Sequence, residues 1–255
     1  MIDAQTALAQ PHVTRREDYS PPEWLVPEVA LDFELDPERT RVKARLEVTR
    51  RGAHDAPLRL NGAGQAPLAV LVDGVAVNDW RLDGEDLIVP LAGGRHVVET
   101  EVEIAPERNT QLMGLYASGG NLCTQCEAEG FRRITYFPDR PDVLARYRVR
   151  MTADKARFPV LLANGDPVAS GDLPGGRHWA EWHDPFPKPT YLFALVAGDL
   201  AVNRGTFVTQ SGREVALGIW VRRADLPRTD HALDALKAAM AWDERVYGRE
   251  YDLDV

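Results

Sequence analysis

Polar side chains recur at every second position in one short segment of the chain. In the sequence QCEAE, Gln125, Glu127 and Glu129 alternate with a cysteine and an alanine. If this segment is extended, period-two geometry places the three polar side chains on one face. An amide oxygen and carboxylates there could accept charge-assisted hydrogen bonds from a protonated amine. The pattern alone favours a solvated acidic loop or charge pairing with Arg132 and Arg133, and leaves an anionic pocket for an ammonium group as the alternative.

A cysteine pair lies in the same segment. Cys123 and Cys126 have the CxxC spacing that suits zinc binding or thiol–disulfide chemistry. A closed zinc site needs four ligands, and the sequence has no second CxxC and no HxxxH. A redox CxxC usually opens a helix in a parallel α/β fold, which this region does not resemble. We therefore interpret the two cysteines as small, partly buried residues beside the loop.

The remaining motifs exclude several kinds of catalytic machinery. The six histidines are isolated from one another, and the sequence has no HExxH, GxSxG, GxxxxGK[ST] or GxGxxG. His178 and His183 flank two tryptophans in a predicted strand, where packing explains them better than metal binding. We expect no catalytic residue and no metal ligand in this chain.

Composition narrows the choice of partners. The chain has 255 residues, 44% of them hydrophobic and 27% charged, with a formal net charge of −9. These values are typical of a soluble globular protein and argue against nucleic-acid binding, which usually needs a basic stripe. The longest apolar run, 191–197, is too short to span a bilayer, and the N-terminus lacks a signal-peptide pattern. We expect a cytoplasmic protein without a nucleic-acid or membrane partner.

Alternation of apolar and polar residues predicts strands that could position the acidic loop. It is clearest over 29–35, 42–48, 98–104 and 145–151. The first two of these runs are joined by a polar turn and predict a hairpin with one wet face. The third run carries an outward row of glutamates and the fourth an outward row of arginines, which could pair if the strands are neighbours. Frequent Gly, Asn and Asp turn signals indicate an antiparallel β-sandwich or a saddle of sheets.

The character of the chain changes near residue 199. The run 191–197 does not alternate and is predicted to be buried on both faces. Two strand-like runs follow, around Phe207 and over 215–221. The segment 184–191, rich in proline and aromatic residues, could be a recognition motif for a proline-binding partner. We favour a rigid connector into the buried run.

One helix is predicted near the end of the chain. Asp230 is its expected N-cap and Gly248 its expected C-cap glycine. The apolar stripe of this helix consists of Leu233, Leu236, Met240 and Tyr247. Alternation over 251–255 predicts a strand within which the chain stops, and we interpret this end as a cut in a longer polypeptide.

Several sequence blocks carry a resemblance to a known family. The most specific is CTQCEAEGFR at 123–132. Further blocks are DAPLRLNG at 55–62, GLY at 114–116, DRPDVLAR at 139–146, 184–199, SGREVAL at 211–217 and YDLD at 251–254. Over essentially its whole length the chain resembles the N-terminal part of the bacterial aminopeptidase N (alanyl aminopeptidase) family, which are zinc metallopeptidases of the gluzincin type.

The resemblance implies a fold and a function. In that family an all-β saddle domain lies over a thermolysin-like catalytic domain, and a loop of the saddle holds the free α-amine of a peptide substrate. Matched residue by residue, the amine-binding carboxylate falls on Glu127 and the supporting amide on Gln125. Glu129 matches no family role in amine binding, so structural pairing remains its interpretation.

The resemblance also implies what this chain lacks. The family's GAMEN motif, its HExxH zinc ligands, its third glutamate ligand and its tyrosine would lie beyond residue 255. We therefore expect an N-terminal saddle domain at 1–198 and the truncated start of a thermolysin-like catalytic domain, with strands and a helix, at 199–255. Zinc would be the cofactor of the full-length parent, and the partners would be peptides with a free N-terminus and the missing catalytic domain. The chain alone is predicted to be inactive; the alternative is a stand-alone β-domain acting as a peptide-binding or interaction module.

Overall fold

Strands dominate the computed structural model, which describes residues 15–255. In this range they form four sheets, of eight, four, three and two strands. The strands are β1 Trp24–Glu34, β2 Thr40–Arg50, β3 Leu58–Leu60, β4 Pro67–Val72, β5 Val75–Ala76, β6 Arg81–Asp83, β7 Asp86–Val89, β8 Arg95–Ile104, β9 Gly114–Ser118, β10 Asn121–Gln125, β11 Ala145–Asp154, β12 Val160–Ala163, β13 Asp166–Leu173, β14 Arg177–Lys188, β15 Leu195–Gly198, β16 Leu200–Val208 and β17 Glu214–Arg222. The helix α1 spans Asp230–Tyr247. The prediction of a mainly β fold is confirmed.

The eight-stranded sheet has the order β13-β14-β11-β1-β2-β8-β4-β5. The predicted β1–β2 hairpin is present, and alternate side chains such as Phe33 and Val42 point into the core. The pairing of β1 with β11 is parallel, with Glu28 opposite Arg146. A long connection between these two strands therefore carries β2 to β10, including the acidic loop.

The glutamate row of β8 and the arginine row of β11 are not neighbours, because β1 and β2 lie between them. Glu101 of β8 instead lies 3.2 Å from Arg41 of β2. Arg146 of β11 lies 3.3 Å from Glu28 of β1. Each charged row is thus neutralised by the strand beside it in the sheet.

An aromatic cluster fills the core beneath the acidic loop. The ring of Phe131 lies 5.4 Å from that of Phe137, 6.3 Å from Tyr147 and 5.2 Å from Phe193, in edge-to-face geometry. All four residues are almost completely buried. Such pairs stabilise beyond their buried area, by about 0.5–1.5 kcal/mol each. The residues following the loop are therefore firmly held.

The prediction that the run 191–197 is buried on both faces is wrong, because only one face is buried. It begins in a short 3-10 helix, Thr190–Leu192, and ends in β15. Leu192 is 50% exposed, whereas Phe193, Leu195 and Ala197 are buried. Most of the proline-rich segment 184–191 belongs to β14, which ends at Lys188. His178 and His183 lie in the same strand, as predicted.

A second, smaller group of apolar residues lies after residue 199. It consists of Val215, Leu217, Leu233 and Met240, between the β16–β17 hairpin and α1. Leu236 is 37% and Tyr247 66% exposed, so the predicted helix stripe is wrong at these two positions. A two-stranded hairpin covers only a narrow strip of the helix, and these two side chains fall outside it.

The helix ends differ in how well they were predicted. Gly248 has φ 62° and caps α1 in the left-handed conformation, as expected. Asp230 is the first helical residue and not the N-cap, which is Thr229. The Asp230 carboxylate accepts a hydrogen bond from Asn203 Nδ2 at 2.9 Å, so it fastens the helix to β16.

No strand forms over 251–255 in the described part of the chain, contrary to the alternation. One backbone hydrogen bond, from Ala216 N–H to Asp254 O at 2.9 Å, holds this segment against β17. Of the helices in residues 15–255, none is long and apolar enough to cross a bilayer. Residues 1–14, where a signal-peptide pattern was sought, lie outside the described residues.

Candidate functional site

The acidic loop begins at the end of a short hairpin. Strands β9 and β10 pair antiparallel, and the hairpin turn at Gly119 and Gly120 has φ 56° and 86°. The guanidinium of Arg222 packs so closely over Gly119 that a Cβ atom there would overlap it. Gln125 is the last residue of β10 and lies opposite Gly114. The hairpin thus fixes the position at which the loop starts.

The loop itself is a compact turn and not an extended segment, so the prediction of one shared face for three side chains is wrong. Gly130 N–H donates to Cys126 O at 2.8 Å and closes the turn. A Cβ atom at Gly130 would overlap the Gln125 carbonyl oxygen, so glycine allows this close approach. The peptide bond between Glu127 and Ala128 is cis. Cys126 and Phe131 are buried at the two ends, which leaves Glu127, Ala128 and Glu129 exposed at the tip.

Gln125 and Glu127 are brought together in this turn, which comprises residues 125–130. Gln125 Nε2 donates to the backbone oxygen of Glu127 at 3.3 Å, which leaves the Gln125 amide oxygen free to accept. Both side chains are exposed, and no residue within 15–255 donates to the Glu127 carboxylate. Two acceptors, one of them anionic, are therefore available to a cationic ligand.

Glu129 has a structural partner. Its carboxylate lies 3.2 Å from Arg132 Nη2. This pairing is the alternative that the pattern offered for the acidic residues, and for Glu129 it is confirmed. Among residues 15–255, Glu129 of the turn thus has a charged partner and Glu127 has none.

A buried carboxylate near the turn was not found by sequence reasoning. Asp139 has a side chain only 1% exposed, and its Oδ2 accepts from Arg132 Nε at 3.0 Å. The hydroxyl of Thr190 donates to the other carboxylate oxygen. Neither periodicity nor a motif marks a lone buried aspartate, although Asp139 opens the DRPDVLAR block.

The two cysteines do not form a reactive pair. Both are free, with Cys126 buried and Cys123 partly buried on β10. Burial, with a contribution from the Asp139 carboxylate, raises the pKa of the Cys126 thiol to about 12. A thiol with so high a pKa is a poor nucleophile and a poor metal ligand, which supports packing as its role.

Other potential ligands are also scattered. Within residues 15–255, no three side chains of His, Cys, Asp or Glu lie together as a metal site would require. His178 Nε2 is 2.7 Å from the Phe158 carbonyl oxygen, and the His54 ring packs against Trp24. The His178 ring is thus engaged by a backbone carbonyl, and the His54 ring by an aromatic neighbour.

Relatives with known names match most of the chain. A model of the Peptidase M1 N-terminal domain matches residues 78–192. Aminopeptidase N of Caulobacter vibrioides is 55% identical over 247 residues, which cover 96% of this chain and 28% of that protein. Aminopeptidase N of Escherichia coli (strain K12) is 50% identical, with coverage of 96% and 28%. The chain thus spans about 28% of the length of these two relatives.

Solved structures show the same fold. Legionella pneumophila aminopeptidase A, in a complex with aspartic acid, is 34% identical with a TM-score of 0.88, covering 93% of this chain and 29% of that one. An M1 zinc metallopeptidase from Deinococcus radiodurans, bound to a Tyr-Ser-Ala substrate, is 19% identical with a TM-score of 0.67, covering 79% and 48%. At that identity the second likeness concerns the fold alone.

Proposed function

The chain belongs to the M1 peptidase family, and from that premise we propose that it is the amine-binding N-terminal part of a zinc-dependent aminopeptidase. One observation carries the proposal. The turn 125–130, termed the amine-binding turn below, exposes the Glu127 carboxylate, to which no residue within 15–255 donates, and the Gln125 side chain is bonded to the backbone oxygen of the same Glu127.

The geometry suits recognition of a peptide's free N-terminus. An α-ammonium group has three donors, and a carboxylate with a neighbouring amide oxygen can accept two of them. A fixed anion measures the substrate from its first residue, so the first peptide bond always lies at the same distance from Glu127. Holding the substrate in one orientation lowers the entropic cost of reaction. A peptide with a blocked N-terminus would lose this charge-assisted contact and bind more weakly.

Zinc, as the cofactor of the parent enzyme, would polarise the peptide carbonyl and activate water. The residues described here do not form a group that could hold it. In our proposal the ligands belong to the rest of the polypeptide, and this chain's part is to bind and orient the amine. The chain on its own should therefore not hydrolyse peptides, even with added zinc.

The proposal extends to domain organisation. We propose a saddle domain at 1–198 and the start of the catalytic domain at 199–255. Two separate groups of buried apolar residues on either side of residue 199 support this division. The peptide substrates and the remaining catalytic domain would then meet the chain on the side of the amine-binding turn.

Replacement of Glu127 by glutamine in the full-length polypeptide tests the function. We expect kcat/KM for unblocked dipeptides to fall about 30- to 150-fold, because a charge-assisted contact with ammonium contributes about 2–3 kcal/mol. Zinc content, measured by metal analysis, should stay normal.

Glu129→Gln is the matched control, since it removes a carboxylate of the same turn that is already paired with Arg132. This variant should keep nearly full activity. Unchanged kinetics in Glu127→Gln, or equal losses in both variants, would contradict the assigned role.

A further inference from the structure

Arg132 lies just after the amine-binding turn. Its main chain and its side chain both form hydrogen bonds with Asp139. Its backbone N–H and its Nε donate to Asp139 Oδ2 at 3.1 Å and 3.0 Å. Its Nη2 donates to the Asp139 carbonyl oxygen at 3.0 Å. Three bonds to one partner leave this arginine little freedom to move.

Asp139 in turn is held by distant parts of the core. Thr190, at the start of the 3-10 helix before β15, donates its hydroxyl to Oδ1. Asn61 accepts from the Asp139 N–H at 3.0 Å, and it forms an isolated β-bridge with Phe137. The carboxylate is therefore a buried charge with fixed partners on two sides.

On the other side, Arg132 holds the exit of the turn. Its carbonyl oxygen accepts from Gln65 Nε2 at 2.6 Å and from Ala63 N–H at 3.0 Å. Its Nη2 reaches back to Glu129 at 3.2 Å. Strand β10 fixes the start of the segment that carries Glu127, and the bonds from Gln65 and Ala63 to the Arg132 carbonyl oxygen fix its end.

We propose that Asp139 is a positioning residue for amine recognition, acting through Arg132 to hold the amine-binding turn in the geometry that presents Glu127 to the substrate. The inference rests on the proposed function.

Loss of a positioning residue weakens only the ligands that carry an α-amine. Loss of a purely stabilising residue weakens all ligands alike. The test uses the full-length polypeptide and two competitive inhibitors, an L-amino-acid hydroxamate and the same compound without its α-amine. In Asp139→Asn we expect the inhibition constant of the amine-bearing compound to rise about tenfold, because small misplacements of a binding group are costly. The constant of the desamino compound should change less than twofold.

The double variant with Glu127→Gln separates the two proposals. If Asp139 acts through Glu127, adding Asp139→Asn to Glu127→Gln changes the amine-bearing constant less than twofold. A normal loss in Glu127→Gln with a full, additive loss from Asp139→Asn overturns this inference alone. No loss of amine-bearing affinity in Glu127→Gln itself overturns the proposed function, and this inference with it.

A second position guards against a variant that fails to fold. Thr190→Val removes the hydroxyl donor to Asp139 but keeps the shape of the side chain. Thr190→Ser keeps the hydroxyl and removes only the methyl group. We expect the amine-specific loss in the valine variant and its rescue in the serine variant. Equal weakening of both inhibitors, or no rescue by serine, overturns the inference.

Discussion

The Cys126 thiol lies at the base of the 125–130 turn, where burial disfavours its ionisation. Its side chain is buried and its pKa is raised to about 12, first by burial and then by the Asp139 carboxylate. Since the folded pKa exceeds the usual value, the neutral thiol is the favoured form throughout the neutral range. The residue therefore acts as a small apolar side chain.

This environment predicts a large difference in reactivity between the two cysteines. In the native chain at pH 8, iodoacetamide should label Cys123, which is partly exposed, and leave Cys126 unmodified. Both should react after denaturation in urea. Peptide mass spectrometry measures the two sites separately, and Cys123→Ser should abolish native labelling. Equal labelling rates, or a native Cys123–Cys126 disulfide, would contradict the packing role.

The roles of Gln125 and Glu127 in the turn remain predictions, whereas the extended geometry predicted for the segment is wrong. Gln125 and Glu127 were selected by resemblance, since alternation alone favoured a solvated loop. The extended interpretation failed because Gly130 permits a tight return of the chain towards Cys126. Asp139 was missed, because its partners Asn61 and Thr190 are 78 and 51 residues away.

At the scale of elements, alternation identified faces but not neighbours. The inward residues of β1, β2, β8 and β11 were predicted, because a half-buried strand must alternate. The parallel pairing of β1 with β11 was not, since the same alternation fits any partner strand. The charged rows gave no better guide, because each has suitable partners on more than one strand.

Gly248 tests how far one residue determines the end of α1. Its φ of 62° is unfavourable for any residue with a Cβ, although the surrounding space is open. Gly248→Ala should therefore cost about 1 kcal/mol through backbone strain alone. Hydrogen exchange of the last turn of the helix should be about fivefold faster.

Gly94→Ala is the matched control for this prediction. Gly94 is also exposed with open space around it, but its φ is not in the left-handed region. It should leave both stability and exchange nearly unchanged. Equal effects of the two variants would mean that lost glycine flexibility, and not the cap geometry, determines the response.

At the scale of the molecule, residues 15–255 combine two unequal groups of buried apolar residues. The larger extends through the eight-stranded sheet and the aromatic cluster around Phe131. The smaller has four residues, Val215, Leu217, Leu233 and Met240. The change of sequence character near residue 199 lies between these two groups. The exact boundary at 198/199 remains a prediction.

The imbalance predicts that the 255-residue chain opens in two steps. A two-stranded hairpin with one helix and four buried apolar residues is marginally stable, whereas strands within a large sheet open only on global unfolding. Hydrogen exchange followed by mass spectrometry should therefore show amides of β16, β17 and α1 exchanging faster than those of β1, β2 and β11. A low concentration of urea should widen the difference, because the smaller unit unfolds first.

Equal opening free energies in both regions would show a single cooperative unit and contradict a domain boundary at 198/199. A lower value confined to α1 would place the boundary after β17 instead.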